Sequence, residues 1–296
     1  MDSTLFPIDL RLSPGAPRVD GKAVLRVKPG GPDGGAEGGR ARLADLYMHD
    51  PLRVLFPRPA AGEPMQAVLA TTSGGLVGGD RLATEVAAEA GAALQVVGQA
   101  AEKVYRSLGP ETTVSLRIAA GAGALVEFLP QGTILYNGAR LRRRIAIEMA
   151  ADATVLTGEI VTFGRIASGE RVTEGLLNDR WTLRRDGRLV WADALALEGD
   201  LATLLARPSG FDGAVALGTV VHAGPGAGGG LDLARDLLGD EQEPVRAGVS
   251  LVNDVLVARF LARDPAALRH RFGRFWRGYR AGACALPARM PTIWNV

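Results

Sequence analysis

Three times in the middle of this 296-residue chain, a segment of alternating apolar and polar residues runs into a turn of small residues and then into a second apolar segment. Leu82, Thr84 and Val86 share one face while Arg81, Ala83 and Glu85 share the other, and Ala90-Gly91-Ala92 leads on to Leu94. Val114, Leu116 and Ile118 repeat the pattern before Ala122-Gly123-Ala124 and Leu125. Leu141, Ile145, Ile147 and Met149 repeat it again before Ala151-Asp152-Ala153 and Val155, with Arg143 interrupting the apolar face. A period of two residues predicts half-buried strands. The spacing of about 30 residues suggests strand pairs that stack, because one pair cannot bury its own apolar face. Convergent turn chemistry would give the same spacing without a true repeat. Ala67 to Thr72 reads as a further strand, as do Trp181 to Leu183 and Leu189 to Ala194, joined by the hairpin dipeptide Asp186-Gly187.

The pattern changes towards the C-terminus. Asp264 is placed to cap and Pro265 to start a helix, and Leu268, Phe272, Phe275, Trp276 and Tyr279 fall on one face of it over about residues 264 to 281. Its other faces carry Arg269, Arg271, Arg274, Arg277 and Arg280, either a solvated basic face or a surface that reads an acidic or nucleic-acid partner. A shorter helix is predicted over Leu231 to Leu238, with Leu233, Ala234, Leu237 and Leu238 inward. Gly30 to Gly39, GGPDGGAEGG, reads as a surface loop or disordered insertion, because its glycines are costly to order. The expected fold is mainly β, stacked antiparallel strand pairs in β-helix-like layers, with a C-terminal amphipathic helix, in one domain over residues 1 to 296. The apolar fraction of 47% supports a core of that size.

Several chemistries lack their signatures. There is no P-loop, no G-x-G-x-x-G after a strand, no G-x-S-x-G, no H-E-x-x-H and no C-x-x-C. His49, His222 and His270 are scattered, and Cys284, the single cysteine, suits a reducing compartment. No stretch approaches the ~20 apolar residues of a membrane span, and Met1 to Leu12 lacks the pattern of a secretory leader. The expectation is a cytoplasmic protein that is not an enzyme, with no membrane or nucleic-acid partner.

Ser73 to Asp80 stands apart, because Gly74-Gly75 and Gly78-Gly79 bracket Leu76-Val77 directly after a strand. Paired glycines permit positive φ and close backbone approach, either as a plain turn or as amides that receive an anion or another chain. A β-rich hydrolase using Ser73 with Asp80 is the alternative, although no histidine accompanies them in sequence.

Ser73-Gly-Gly-Leu-Val-Gly-Gly-Asp80-Arg81-Leu82, followed by Ala100-Ala101-Glu102-Lys103-Val104-Tyr105-Arg106-Ser107, resembles the paired signature of the UreD (UreH) family of urease accessory proteins. Leu129-Pro130-Gln131-Gly132-Thr133-Ile134-Leu135 with Gly138-Ala139-Arg140 is similar to the next block. Gly158-Glu159-Ile160, Gly164-Arg165, Gly169-Glu170-Arg171, Asp179-Arg180-Trp181 and Pro291-Thr292-Ile293-Trp294 follow in the family's order. Glu102 departs from the family's usual threonine and Thr292 from its arginine.

The resemblance implies a mostly β scaffold that binds apo-urease and, through UreF, the GTPase UreG that carries nickel. It implies no permanently bound cofactor, only nickel in transit along an internal route. A route needs ligands that release, and carboxylates hold nickel less firmly than histidine or cysteine. On that reading Asp80, Glu102, Glu127 and Glu159 are candidate transient nickel ligands. The alternative for each is a structural ion pair with Arg106, Arg140 or Arg165. Gly74, Gly75, Gly78, Gly79, Asp80, Lys103, Tyr105, Arg106, Gln131 and Arg140 are expected to face a partner or line the passage. If Glu102 to Ser107 is a strand, Lys103 and Tyr105 share one face and Val104 and Arg106 the other.

Overall fold

The computed structural model describes residues 19–30, 41–240 and 244–295. Beyond Gly30, the glycine-rich insertion lies outside them. The elements in chain order are β1 (Asp20–Lys28), β2 (Arg42–His49), β3 (Leu52–Leu55), β4 (Met65–Thr71), β5 (Arg81–Ala88), β6 (Ala93–Gly98), β7 (Glu102–Val104), β8 (Thr112–Ala120), β9 (Leu125–Leu129) and β10 (Thr133–Leu135). They continue with β11 (Arg140–Met149), β12 (Thr154–Phe163), β13 (Glu174–Arg185), β14 (Arg188–Asp200), α1 (Leu201–Ala206), β15 (Ala216–Ala223), α2 (Gly230–Leu238), β16 (Val245–Val252), β17 (Val255–Ala262) and α3 (Pro265–Cys284).

Each repeat crosses from one layer to the other. β5, β8 and β11 pair in parallel in a first sheet of order β14-β13-β11-β8-β5-β1-β2. β6, β9 and β12 pair in parallel in a second sheet running β16-β17-β15-β12-β9-β6-β4-β3. The small-residue turns are the corners between layers, and Gly91 and Gly123 take φ of 71° and 62° there. The two strands flanking a corner are therefore not hydrogen-bonded to each other. Equivalent strands of successive repeats bond instead, Arg81 beside Thr113 and Thr112 beside Leu141, which gives the β-helix-like stacking. The repeat is real in space.

Inward side chains of both sheets form the core, Leu82, Val86, Leu116, Ile118, Ile145 and Ile147 from one and Leu94, Val96, Val126, Phe128 and Val155 from the other. β13 and β14 form the expected hairpin, with φ of 49° at Asp186 and 76° at Gly187. β15, β16 and β17, which the sequence reading passed over, extend the second sheet with antiparallel strands.

α3 covers the outer face of that second sheet. The Asp264 carboxylate accepts from Ala266 N at 2.9 Å, and Leu268, Phe272, Phe275, Trp276 and Tyr279 are all at most 1% exposed. α2 packs beside it, where Leu237 and Leu233 fit over Gly278 and Gly282; a Cβ there would lie 2.6 and 2.5 Å from the leucine methyls. Of the five helix arginines, Arg274 and Arg277 are exposed. Arg280 is fully buried, Arg269 bonds to Gln131 Oε1 at 2.6 Å, and Arg271 donates to the Leu238 and Val245 carbonyls at 2.5 and 2.7 Å.

Candidate functional site

Several of the family-like blocks share one location, while Gly158 to Ile160 lies within β12, Asp179 to Trp181 within β13 and Pro291 to Trp294 in the C-terminal segment. Ser73 to Asp80, Gln99 to Glu111, Gln131 to Ala139 and Gly164 to Thr173 are the successive returns from the second sheet to the first, opposite the small-residue corners. They are stitched to one another. Leu76 N donates to Lys103 O at 2.7 Å, Tyr105 N to Leu76 O at 2.8 Å, Ser107 N to Gly138 O at 3.0 Å, and Gly138 N to Glu174 O at 2.9 Å. Tyr105 packs edge-on against Tyr136 with ring centroids 4.8 Å apart and donates its hydroxyl to Gly74 O at 2.9 Å.

The glycines differ in what they do. Gly75 has φ of 138°, and a Cβ on it would lie 2.6 Å from the Tyr105 ring and 2.8 Å from Lys103 O. Gly78 is pressed against Ser107 and the Pro110 carbonyl. Gly79 has φ of 95°, whereas a Cβ on Gly74 would meet nothing within 4 Å. Gly75 and Gly78 thus permit close chain packing. Asp80 closes the turn by accepting from Val77 N at 2.8 Å through Oδ2, while its buried Oδ1 has no hydrogen-bond partner among the described residues.

The four candidate carboxylates divide among three environments. Strand alternation turns Glu102 and Glu159 inwards to the space between the sheets, and both line a cavity of about 140 Å³ there. Glu127, flanked on β9 by the inward Val126 and Phe128, points the other way, towards α3. Asp80 stays in its loop. The cavity's other polar groups include Thr71, Thr84, Ser115, Thr133 and Arg143, set among apolar walls such as Leu82, Leu116 and Phe128. A second hollow of about 150 Å³, lined by Ser73, Gly74, Gly75, Gln99 and Lys103, shares Leu69, Thr71, Ala100 and Glu102 with it. Glu102 therefore stands between the signature loop and the interior.

The inner carboxylates are held differently. Glu102 accepts from Thr71 Oγ1 at 2.8 Å, and burial pushes its pKa up against that hydrogen bond and the nearby Lys103 charge. Glu159 is ion-paired with Arg143, which also grips Asp179 with Nε–Oδ1 of 3.0 Å and Nη2–Oδ2 of 2.6 Å. Trp181 Nε1 donates to the same Asp179 oxygen as Nη2, at 3.2 Å. Burial pushes the Glu159 pKa up to about 7; the Arg143 attraction opposes this, and the Asp179 charge adds to it. Arg143 is itself raised, its burial outweighed by the two carboxylates.

Glu127 is saturated. It accepts from Trp276 Nε1 at 2.9 Å, from Gln95 Nε2 at 2.6 Å, and from Arg280 Nε and Nη2 at 2.6 and 2.8 Å. Arg280 also reaches Glu63 at 2.7 Å, as does Arg289. The arginines named as alternative partners pair elsewhere, Arg106 with Glu174, Arg140 with Glu111 and Glu198, and Arg165 with Glu170. Sequence reasoning did not single out Arg143, Asp179, Arg280 or Glu63 for the site, although a lone arginine on an apolar strand face is a visible sign of a buried carboxylate partner.

The remaining candidates lie at the rim. β7 ends at Val104, so the anticipated two-face strand does not continue to Arg106; Lys103 and Arg106 are exposed and Val104 is fully buried. Gln131 is tied to the C-terminal segment, donating to Ile293 O at 2.8 Å. Ser73 and Asp80 do not hydrogen-bond to each other; Ser73 Oγ is 3.4 Å from Gly75 O. His222 is buried against the Tyr279 hydroxyl at 2.8 Å, and His49 bonds to Asp20 O at 3.0 Å. Among the described residues no cluster of three or more His, Cys, Asp or Glu could hold a metal ion, and no helix is long and apolar enough to cross a membrane.

The chain is a two-layered, β-helix-like stack with one helix-covered sheet, a small cavity between the layers and several distinctive loops gathered at one end. The model of the UreD urease accessory protein family matches residues 22–295, and the chain belongs to that family. It is 44% identical over 261 residues to a urease accessory protein UreD of Magnetococcus marinus, covering 87% of this chain and 90% of that one. It is 41% identical over 290 residues to urease accessory protein UreD 1 of Methylobacterium radiotolerans, covering 98% and 96% of the two. The UreD protein of Azorhizobium caulinodans is 40% identical over 280 residues, covering 95% and 98%.

Proposed function

We propose that this chain is a non-enzymatic scaffold in urease maturation, which binds apo-urease and, with UreF and the GTPase UreG, supports nickel insertion. The observation that carries the reading is the placement of Glu102 and Glu159 on one interior cavity, with Glu102 shared between that cavity and the hollow under the signature loop. The cargo, nickel, would meet carboxylates, hydroxyls and water there. Such oxygen donors hold it loosely. Burial raises the pKa of both carboxyls, that of Glu159 to about 7, so at Glu159 a proton competes with an arriving cation and weakens its retention further. Asp80 lines neither hollow and closes its own turn through Val77 N, so it stands apart from the route. Glu127, with both oxygens engaged by Arg280, contributes to the route only through the shape of the fold.

Among the described residues no histidine is hydrogen-bonded to Ser73 or Asp80, so the hydrolase alternative lacks a histidine base there. Co-expression with urease at limiting nickel tests the scaffold reading. The chain should co-purify with apo-urease and UreF, and Glu159→Gln should lower urease activity and its nickel content together. Absence of both partners from the purified complex would end the proposal, and undiminished activation by Glu159→Gln would remove Glu159 from the route.

A further inference from the structure

α2 and α3 both pack on the second sheet, and the outer face of the first sheet carries a different surface. Parallel pairing sets Arg144 directly beside Arg180, and both are exposed. Their row continues to Ser115 on one side and Ala194 on the other, short side chains that leave the guanidinium groups standing clear. One row along, Arg142 lies between Thr113 and Asn178, and Arg81 lies beyond Thr113.

Several acidic groups around these rows are engaged by other cations. Glu85 pairs with Lys22, Glu111 with Arg140 and Arg142, Glu148 with Arg184, and Glu198 with Arg140. Arg144 and Arg180 have no acidic partner among the described residues, whereas Arg81 stands opposite Asp20 on β1. Like charges directly opposite on neighbouring strands, about 4.8 Å apart, repel one another, and a bound anion relieves that repulsion.

We propose that this face, centred on Arg144 and Arg180, docks a compact acidic segment of a partner protein. Charge complementarity selects the class of partner. Exposed guanidinium groups suit bidentate pairing with carboxylates. The acids at the rim would repel a long phosphate backbone that ran past the arginine rows, and no aromatic side chain stands among those rows to stack on a base. The inference stands apart from nickel transfer, since none of Arg81, Arg142, Arg144 and Arg180 lines the inner cavity.

The test is fluorescence anisotropy of the purified full chain with a labelled decaglutamate peptide and with a ten-nucleotide single-stranded DNA. The peptide should bind in a salt-sensitive way, and R144Q/R180Q should weaken it about tenfold or more with a melting temperature no lower than that of wild type. R274Q/R277Q, which removes two exposed arginines of α3, should leave peptide binding unchanged. The proposal is overturned if the wild-type chain does not bind the peptide, if R144Q/R180Q binds it as well as wild type, or if the helix variant loses as much. Tighter binding of the DNA through the same two arginines would also overturn it, by assigning the face to nucleic acid.

Discussion

Arg280 and Glu127 form an ion pair from which solvent is excluded, both side chains 0% exposed and Nε lying 2.6 Å from Oε1. The pair joins α3 to β9 and, through Glu63 and Arg289, fastens the segment after the helix to the chain before β4. A helix arginine predicted on a basic face is thus a structural centre of the molecule.

Removing Arg280 should cost more than its position in a surface-like pattern suggests. Arg280→Met leaves Glu127 and Glu63 without their shared cation, and breaking a buried pair in this way costs about 3 to 5 kcal/mol. Arg280→Lys should recover only part of this, because a point charge cannot serve two carboxylates in the plane of a fork. Arg277→Met, at an exposed position of the same helix, should stay within about 0.5 kcal/mol. Urea unfolding of the three variants measures the difference.

In the signature loop, the glycines should separate by role. Gly75→Ala forces a side chain into Tyr105 and Lys103 O at positive φ and should destabilise by about 1 to 3 kcal/mol. Gly74→Ala, with open space around it, should be within about 0.5 kcal/mol of wild type. Thermal melts of the two single variants provide the comparison.

Two buried groups should give opposite pH dependences. The folded-state pKa of Glu159 is raised to about 7, so the folded chain holds a proton that the unfolded chain has released above its ordinary value of 4.5. Its contribution is greatest below 4.5 and is lost as pH rises to about 7. Burial lowers the His222 pKa to about 4 from 6.5, so its contribution is present above 6.5 and is lost as pH falls towards 4. Glu159→Gln retains His222, so the difference between it and wild type from pH 6.5 to 7.5 isolates the Glu159 effect. Wild type should lose stability relative to Glu159→Gln over that interval; a difference that stays constant with pH would contradict the assignment.

The legibility of the sequence follows from which faces meet water. β5, β8 and β11 bury one face each, so their alternation was plain. β12 is buried on nearly its whole length because sheet and helix enclose both sides, and on such a strand a carboxylate carries no sign of which side it takes. That is why Glu127 and Glu159 looked equivalent in sequence, although one faces α3 and the other the cavity. Arg143 did stand out as an interruption, but its partners Glu159 and Asp179 come together only through the pairing of β11 with β13 and the approach of β12 from the other sheet. The motif blocks were readable in order, while the common end of the stack that several of them share required the alternation of layers.

The account rests on the interior cavity serving as a path for nickel, and blocking it without disturbing assembly tests this most directly. Thr84 lines the cavity from the first sheet, and Thr84→Leu adds bulk there. Urease should be purified after co-expression at limiting nickel with wild type, Thr84→Leu or Glu102→Gln, and nickel per urease measured beside the amount of chain bound to apo-urease. The account predicts that both variants bind apo-urease as wild type does, yet leave urease with several-fold less nickel. Full nickel loading by a folded, urease-bound Thr84→Leu variant would contradict it.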